Sequence, residues 1–381
     1  MKRRSACITG NTFRGNEGMA KMKAAAALRN VRVHGGSSSM KRISSQRSFD
    51  AAMLFSSLEC RIGETFASRD PLLLLAFHRL HFLAWQERLL LFAQVRDRQD
   101  FLALGLDEIA RLLYRRLQPR VLDMGRIWAH AEIDAQMLDM LHARFVCVTE
   151  SEYPALLREI YRAPFGLFVR GSGRLGMRPA ITMVGTRTPT AVGIKAAASL
   201  AGEAAAAGFC IVSGLARGID AAAHRGALHR KAEGGPTLAV LPCGIDRIYP
   251  PSNRGLAAGI LDSGGLLVSE YPPGVNLEIY RFPERNRILA GMSALTVVVE
   301  APEKSGALIT SEFALAEGRE VAVAAACRKS SRNAGGDALA EDGAPEIRNA
   351  EDMRALMQMH IENSTAEDAV FPEGASIHGS E

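Results

Sequence analysis

The chain has 381 residues, 48% of them apolar, with 46 Lys and Arg against 41 Asp and Glu for a formal net charge of +5. That length can bury one large core and a second, smaller one, and no window of 18 residues is apolar and free of charge, so no membrane-spanning helix is expected. The charge is uneven: residues 1–50 hold eleven Lys/Arg against two acids, 162–328 eighteen against thirteen, and 329–381 four against eleven, so a polyanion site must be a local cluster of arginines and not a basic surface.

Residues 1–50 lack hydrophobic periodicity and are rich in Ser, Gly and basic side chains, which reads as a disordered basic leader. Their acid-poor, Arg/Ser-rich character also fits an organellar transit peptide, and Met40 or Met53 offers another start. From 51 to 150 apolar residues recur at three- and four-residue steps, as in "FLALGLDEIARLLYRRL" and "RIWAHAEIDAQMLDMLHARF", so a small all-helical domain is expected. Gly105 before "LDEIARLL" resembles the turn of a SAM-like or helical-hairpin domain, and is read as a packing module because the full Gly-hydrophobic-Gly signature is missing. The six cysteines show neither CxxC nor metal-ligand spacing, which suits a reducing cytoplasm and gives no metal site.

Near 150 the texture changes to short strands punctuated by Pro and Gly. The runs "AITMVGT", "FCIVSGL", "TLAVLPCG", "GLLVSEY", "ALTVVVEA" and "EVAVAAA" read as buried strands separated by helical segments. This predicts an α/β domain over 151–345, a doubly wound, mostly parallel sheet covered on both faces, followed over 346–381 by a short helix and an acidic disordered tail. In such sheets ligands lie beyond the carboxyl ends of the strands.

Four segments at those ends stand out. "VGTRTPTAVG" places Gly185 and Arg187 in a turn and starts a helix near Thr190, whose free N–H groups favour an anion; it is not G-x-G-x-x-G, so no dinucleotide cofactor is expected. "VSGLARGID" offers Ser213, Gly214 and Gly218 for close backbone approach and Arg217 as a fork for phosphate. "RFPERNRILAG", read as a loop, gathers Arg281, Arg285 and Arg287 beside Phe282 and Asn286. "EAPEKSGALIT" supplies Ser305 as an N-cap, with Gly306 and Thr310 on the entering turn. Several helix N-termini and arginines on one sheet edge point to a line of phosphates, with Phe282 either a core residue or a base-stacking face. Asp220 and His224 share one side of a helix; with no third ligand or nucleophile beside them, closing the helix start is the preferred reading over catalysis. Glu270 and Glu300 are expected to pair with the arginines.

In this order and spacing the segments resemble the DNA-processing protein A family, also called Smf, from Tyr153 to about Gly343; "SGLARGIDxxAH" with "FPxRNR" and "SGxLIT" carries the resemblance. It implies an extended Rossmann-like domain that binds single-stranded DNA as a homodimer, protects incoming strands in natural transformation and loads the RecA recombinase, with no enzymatic activity. Carried onto matching positions, the pocket comprises Gly185, Arg187, Ser213, Gly214, Arg217, Gly218, Phe282, Arg285, Asn286, Arg287, Ser305, Gly306 and Thr310. The segment 324–337 departs from the family pattern, with Asp337 where Asn is usual, and a C-terminal winged helix is not expected. The alternatives are a LOG-like nucleoside 5′-monophosphate phosphoribohydrolase, whose P-G-G-x-G-T turn the chain lacks, and a recombinase-interaction protein with a vestigial pocket.

Overall fold

The computed structural model describes residues 70–118, 121–229 and 237–358. The expected basic leader and the acidic tail lie outside the described residues. Among those described, no helix is long and apolar enough to cross a membrane.

The first elements among the described residues are helices α1 (Pro71–His78), α2 (Trp85–Gln94), α3 (Arg98–Ala103), α4 (Leu106–Leu112) and α5 (Met124–Leu141). Local chemistry sets their ends. Asp70, Asp97 and Asp123 accept hydrogen bonds from the first free N–H groups of α1, α3 and α5, and His142 closes α5 in the left-handed region at φ 49°. Phe77 packs edge-on against Phe92 and Phe101 at centroid distances of 5.4 and 5.3 Å, and Arg79 grips Asp134 through two bonds of 2.6 Å. This unit is helical, as the periodicity implied.

The helical unit ends earlier than the texture of the sequence suggested. Strand β1 (Ala143–Cys147) already belongs to the sheet, pairing antiparallel with β2 (Gly166–Arg170) across the short helix α6 (Ala155–Glu159). There follow β3 (Ala180–Val184), α7 (Ala191–Ala206), β4 (Cys210–Ser213), α8 (Ile219–His229), β5 (Thr237–Val240), α9 (Arg254–Asp262), β6 (Leu266–Ser269), α10 (Arg281–Gly291), β7 (Leu295–Val298), α11 (Gly306–Ala316), β8 (Glu320–Ala324), α12 (Ala334–Glu341) and β9 (Glu346–Ile347). The nine strands run in the order β1-β2-β6-β5-β4-β3-β7-β8-β9, antiparallel only at β1-β2 and β2-β6. All six strands expected from the sequence form the parallel centre, and the doubly wound, mostly parallel sheet stands.

Alternation along the strands feeds two cores. Ile181, Met183 and Ile211 pack under the alanine-rich faces of α7 and α8, whereas Val184, Val212 and Val298 pack under α10 and α11. The order reverses between β3 and β7: β4, β5 and β6 are laid down on one side of β3, and the chain then returns to its other side. A crevice between the carboxyl ends of β3 and β7 is the topological consequence.

The buried His224 links this packing to pH. Burial drives its imidazole down to about 3, with Arg285 and Arg225 adding to the effect. The unfolded chain protonates this ring near 6.5, so it binds more protons than the folded one below that pH. The stability it contributes is full above 6.5 and is lost as pH falls toward about 3. Urea midpoints measured from pH 7.5 to 4.5 should fall, and less steeply in a His224→Asn variant.

Candidate functional site

The pairing of β3 with β7 continues past the strand ends: Val299 N–H donates to the Val184 carbonyl at 3.0 Å and Thr186 N–H to the Glu300 carbonyl at 2.7 Å. Beyond them opens a cleft of about 450 Å³. Its walls are the turn after β3, the first turns of α10 and the loop entering α11. Of the residues singled out from the sequence it brings together Gly185, Arg187, Phe282, Arg285, Asn286, Ser305, Gly306 and Thr310.

Only some of these offer free chemistry. Arg187 is exposed, with its guanidinium carbon 4.9 Å from the centroid of the Phe282 ring, and Tyr249 meets the same ring edge-on at 5.8 Å. Phe282 is half-buried, so the ring is a platform at the mouth of the cleft and not core. Lys304, overlooked in the sequence, stands exposed beside Ser305 with φ at 62°. A lysine directly before an N-cap at a strand end was the signal for it. Ser305 caps α11 by accepting from Ala307 N–H at 3.3 Å, while Thr310 is buried in the wall.

Arg285 is a different kind of residue. At 4% exposure it donates to the Gly214 carbonyl at 2.9 Å, to the Val240 carbonyl, and from Nε to Asn286 Oδ1 at 3.3 Å. Burial lowers its guanidinium to about 10, opposed by the carboxylate of Asp220. A Cβ at Gly214 would run into this guanidinium, which is why that position has no side chain. Arg285 therefore ties the ends of β4 and β5 to α10.

The expected cluster of three arginines does not form. "RFPERNRILAG" is helix α10 and not a loop, because Pro283 sits in the first turn, where its missing N–H costs no internal bond. Successive helical side chains diverge, so Arg287 points away from the cleft to the Arg162 carbonyl at 2.7 Å and to the carboxylate of Glu270. Ser213, Gly214, Arg217 and Gly218 also lie outside the cleft lining. The Ser213 hydroxyl is committed to the Met183 carbonyl at 2.7 Å, and Arg217 is exposed beside the turn.

Gly218 shapes that turn. It has φ of 78°, and a Cβ there would collide with the Thr186 carbonyl oxygen. Gly218→Ala should cost about 1–3 kcal/mol of unfolding free energy, read from urea denaturation, because both the left-handed backbone and the contact disfavour a side chain.

Two further expectations change. The N-terminus of α7 was read as an anion site, and it is filled by the chain itself: the buried Glu300 carboxylate accepts from Thr190 N–H at 2.8 Å, from Thr190 Oγ1 at 2.8 Å and from the Ser330 hydroxyl. Glu300 thus pairs with helix N–H and hydroxyl donors, not with an arginine, whereas Glu270 does take Arg287. Asp220 and His224 do not act on each other. Asp220 accepts from Gly214 and Ala216 N–H at 3.1 and 3.2 Å, and burial pushes its carboxyl up against the pull of Arg285. His224 Nδ1 meets Thr237 Oγ1 at 2.7 Å in the core.

The atypical segment after β8 is tied down through its own side chains. Asp337 Oδ1 accepts from Arg328 Nη1 and Lys329 N–H at 3.1 Å and from Asn333 Nδ2 at 3.2 Å, and Asn333 Oδ1 accepts from Ala301 N–H at 3.0 Å. Arg332 reaches back to the Thr188 carbonyl at 2.6 Å, adding an exposed guanidinium beside Arg187. Among the described residues no three His, Cys, Asp or Glu side chains come together to hold a metal.

The fold recurs in known proteins. The profile of the DNA recombination-mediator protein A family matches residues 144–358. The chain is 45% identical over 184 residues to Protein Smf of Synechocystis sp., covering 47% of this chain and 45% of that protein. It is 38% identical over 207 residues to DNA processing protein DprA of Bacillus subtilis, covering 54% and 68%. The X-ray structure of DNA processing protein A from Streptococcus pneumoniae aligns with TM-score 0.60 and 29% identity, over 76% of this chain and 99% of that one. The curated relatives are thus matched over between about half and two thirds of their length. With the profile covering more than half of its residues, the chain belongs to the DNA recombination-mediator protein A family.

Proposed function

We propose that the cleft between β3 and β7 binds single-stranded DNA, and that the protein protects such strands and loads the RecA recombinase onto them in DNA processing during transformation. The observation that carries this reading is Arg187, an exposed guanidinium in no ion pair among the described residues, lying over the half-buried Phe282 ring at the cleft mouth. Cation and aromatic face side by side are what an unpaired strand requires: one for phosphate, one for a base. Lys304, Arg217 and Arg332 extend the positive charge along the same sheet edge. The names of the B. subtilis and S. pneumoniae relatives, DNA processing proteins, support the same assignment.

Binding and not catalysis is the activity proposed. The polar side chains that a nucleophilic mechanism would use are occupied by the backbone: Ser213 by a carbonyl, and Asp220 by two N–H groups. Phosphate contacts position a strand without reading it, so sequence preference should be weak. A homodimer in the cytoplasm would present two such clefts and gain by avidity.

Fluorescence anisotropy with labelled oligo-dT at graded salt tests the reading. With about three phosphates neutralised, the slope of log affinity against log salt should lie near −2. No binding at low salt, or release of adenine from AMP, would overturn the proposal.

A further inference from the structure

Behind the first turn of α10 lies a second cleft of about 1160 Å³, larger than the first. It is formed where the helical unit meets the sheet domain, from the start of α2, the loop after α6 and the opposite side of α10. The helix divides the two spaces by its periodicity: Phe282, Arg285 and Asn286 line the first, and Arg281, Glu284 and Arg287 line the second. A strand leaving the first cleft over Phe282 therefore meets the second within a single helical turn.

The surface it would meet is unusual for a fold that needs only to close an interdomain seam. Tyr161 is 86% exposed and Tyr280 58% exposed. The Arg281 guanidinium lies 4.8 Å from the Tyr271 ring centroid and 5.4 Å from that of Tyr280. Five arginines line the space against three glutamates, and each glutamate is already engaged. Glu270 holds Arg287, Glu159 holds Arg319 at 2.8 Å, and Glu284 accepts the Tyr271 hydroxyl at 2.8 Å. Arg88 and Arg158 donate to main-chain carbonyls and form no ion pair among the described residues, although Glu270 and Glu87 act on the Arg88 charge. Arg162 is exposed and has no acid partner among the described residues.

We infer that this cleft is a second subsite for single-stranded nucleic acid, continuous with the first. Bases stack on Tyr280 and Tyr161, and Arg162 meets the backbone between them. The inference rests on the reading of the first cleft, because the strand enters from it. Exposed aromatic faces beside guanidiniums stack any base, so the subsite adds affinity with length and not sequence preference.

The test compares oligo-dT of about 4 and about 16 nucleotides, the short and long ends for a single-strand groove. In the full chain, Tyr161→Ala with Tyr280→Ala should weaken the long oligonucleotide about tenfold or more and leave the short one unchanged, while Tyr→Phe at both positions keeps parental affinity. Trp85 lines the cleft and Trp128, the other tryptophan, is buried in the helical unit, so a Trp128→Phe background gives a direct reporter. The long oligonucleotide should quench Trp85 and the short one should not. If the parent binds both lengths, and the double alanine variant weakens neither or both equally with Trp85 unmoved, the second subsite is wrong and the first stands. If the parent binds neither length, the first-cleft reading falls and takes the subsite with it.

Discussion

Replacing Arg285 with methionine is expected to cost about 3–5 kcal/mol of unfolding free energy, the range for breaking a buried charge pair. The guanidinium is almost wholly buried and donates to two carbonyls at the ends of β4 and β5 and to the Asn286 amide oxygen. Methionine fills much of the volume but leaves those acceptors unmet and the buried Asp220 carboxyl without the cation that acts on it most strongly. Urea denaturation checks this directly. A loss below about 1 kcal/mol would show that the side chain is available for a ligand instead. DNA binding by this variant reports on folding first, so Arg285 is a poor probe of recognition even though it lines the cleft.

Arg187→Glu should do the reverse. The side chain is exposed, makes no ion pair among the described residues and lies over the Phe282 ring, so stability should stay within about 0.5 kcal/mol of the parent. Binding to oligo-dT should weaken at least tenfold, since a like charge then faces the phosphates. Arg187→Ala separates the terms: removing one phosphate contact should make the salt slope about 0.7 shallower. Anisotropy at several salt concentrations reads both effects. Unchanged affinity in the glutamate variant would remove the cleft as the DNA site.

The two arginines show where the sequence is legible and where it is not. Three of the six expected strands end in turns whose residues are fixed locally: Gly218 by its backbone angle, Ser305 as a cap, and Arg187 by its place after β3. The parallel centre was readable because each strand is a continuous apolar run between helices. The antiparallel edge was harder, since β1 follows α5 without a break and β9 is only Glu346 and Ile347. Within the site, "RFPERNRILAG" listed its arginines without their directions. Which of them faces a ligand depends on the rotation of α10 against β4, β5 and α6, and that is set by packing between segments far apart in the chain. Glu300 was misassigned for the same reason: its partners Thr190 and Ser330 are brought to it by tertiary structure alone.

The carboxylate of Glu300 at the start of α7 has a further effect on how a strand can sit. A ring of backbone N–H groups would fix one phosphate at one point, like a notch in a rail. Here that notch is filled from within, and a phosphate bound as proposed would meet Arg187, Arg332 and Lys304, each on a long stem with several rotatable bonds. In the proposed binding mode such contacts would follow the strand as it shifts by a fraction of a nucleotide and pass it on without releasing all at once. The bound register would then be shallow, and a strand would creep lengthwise through the cleft while remaining held.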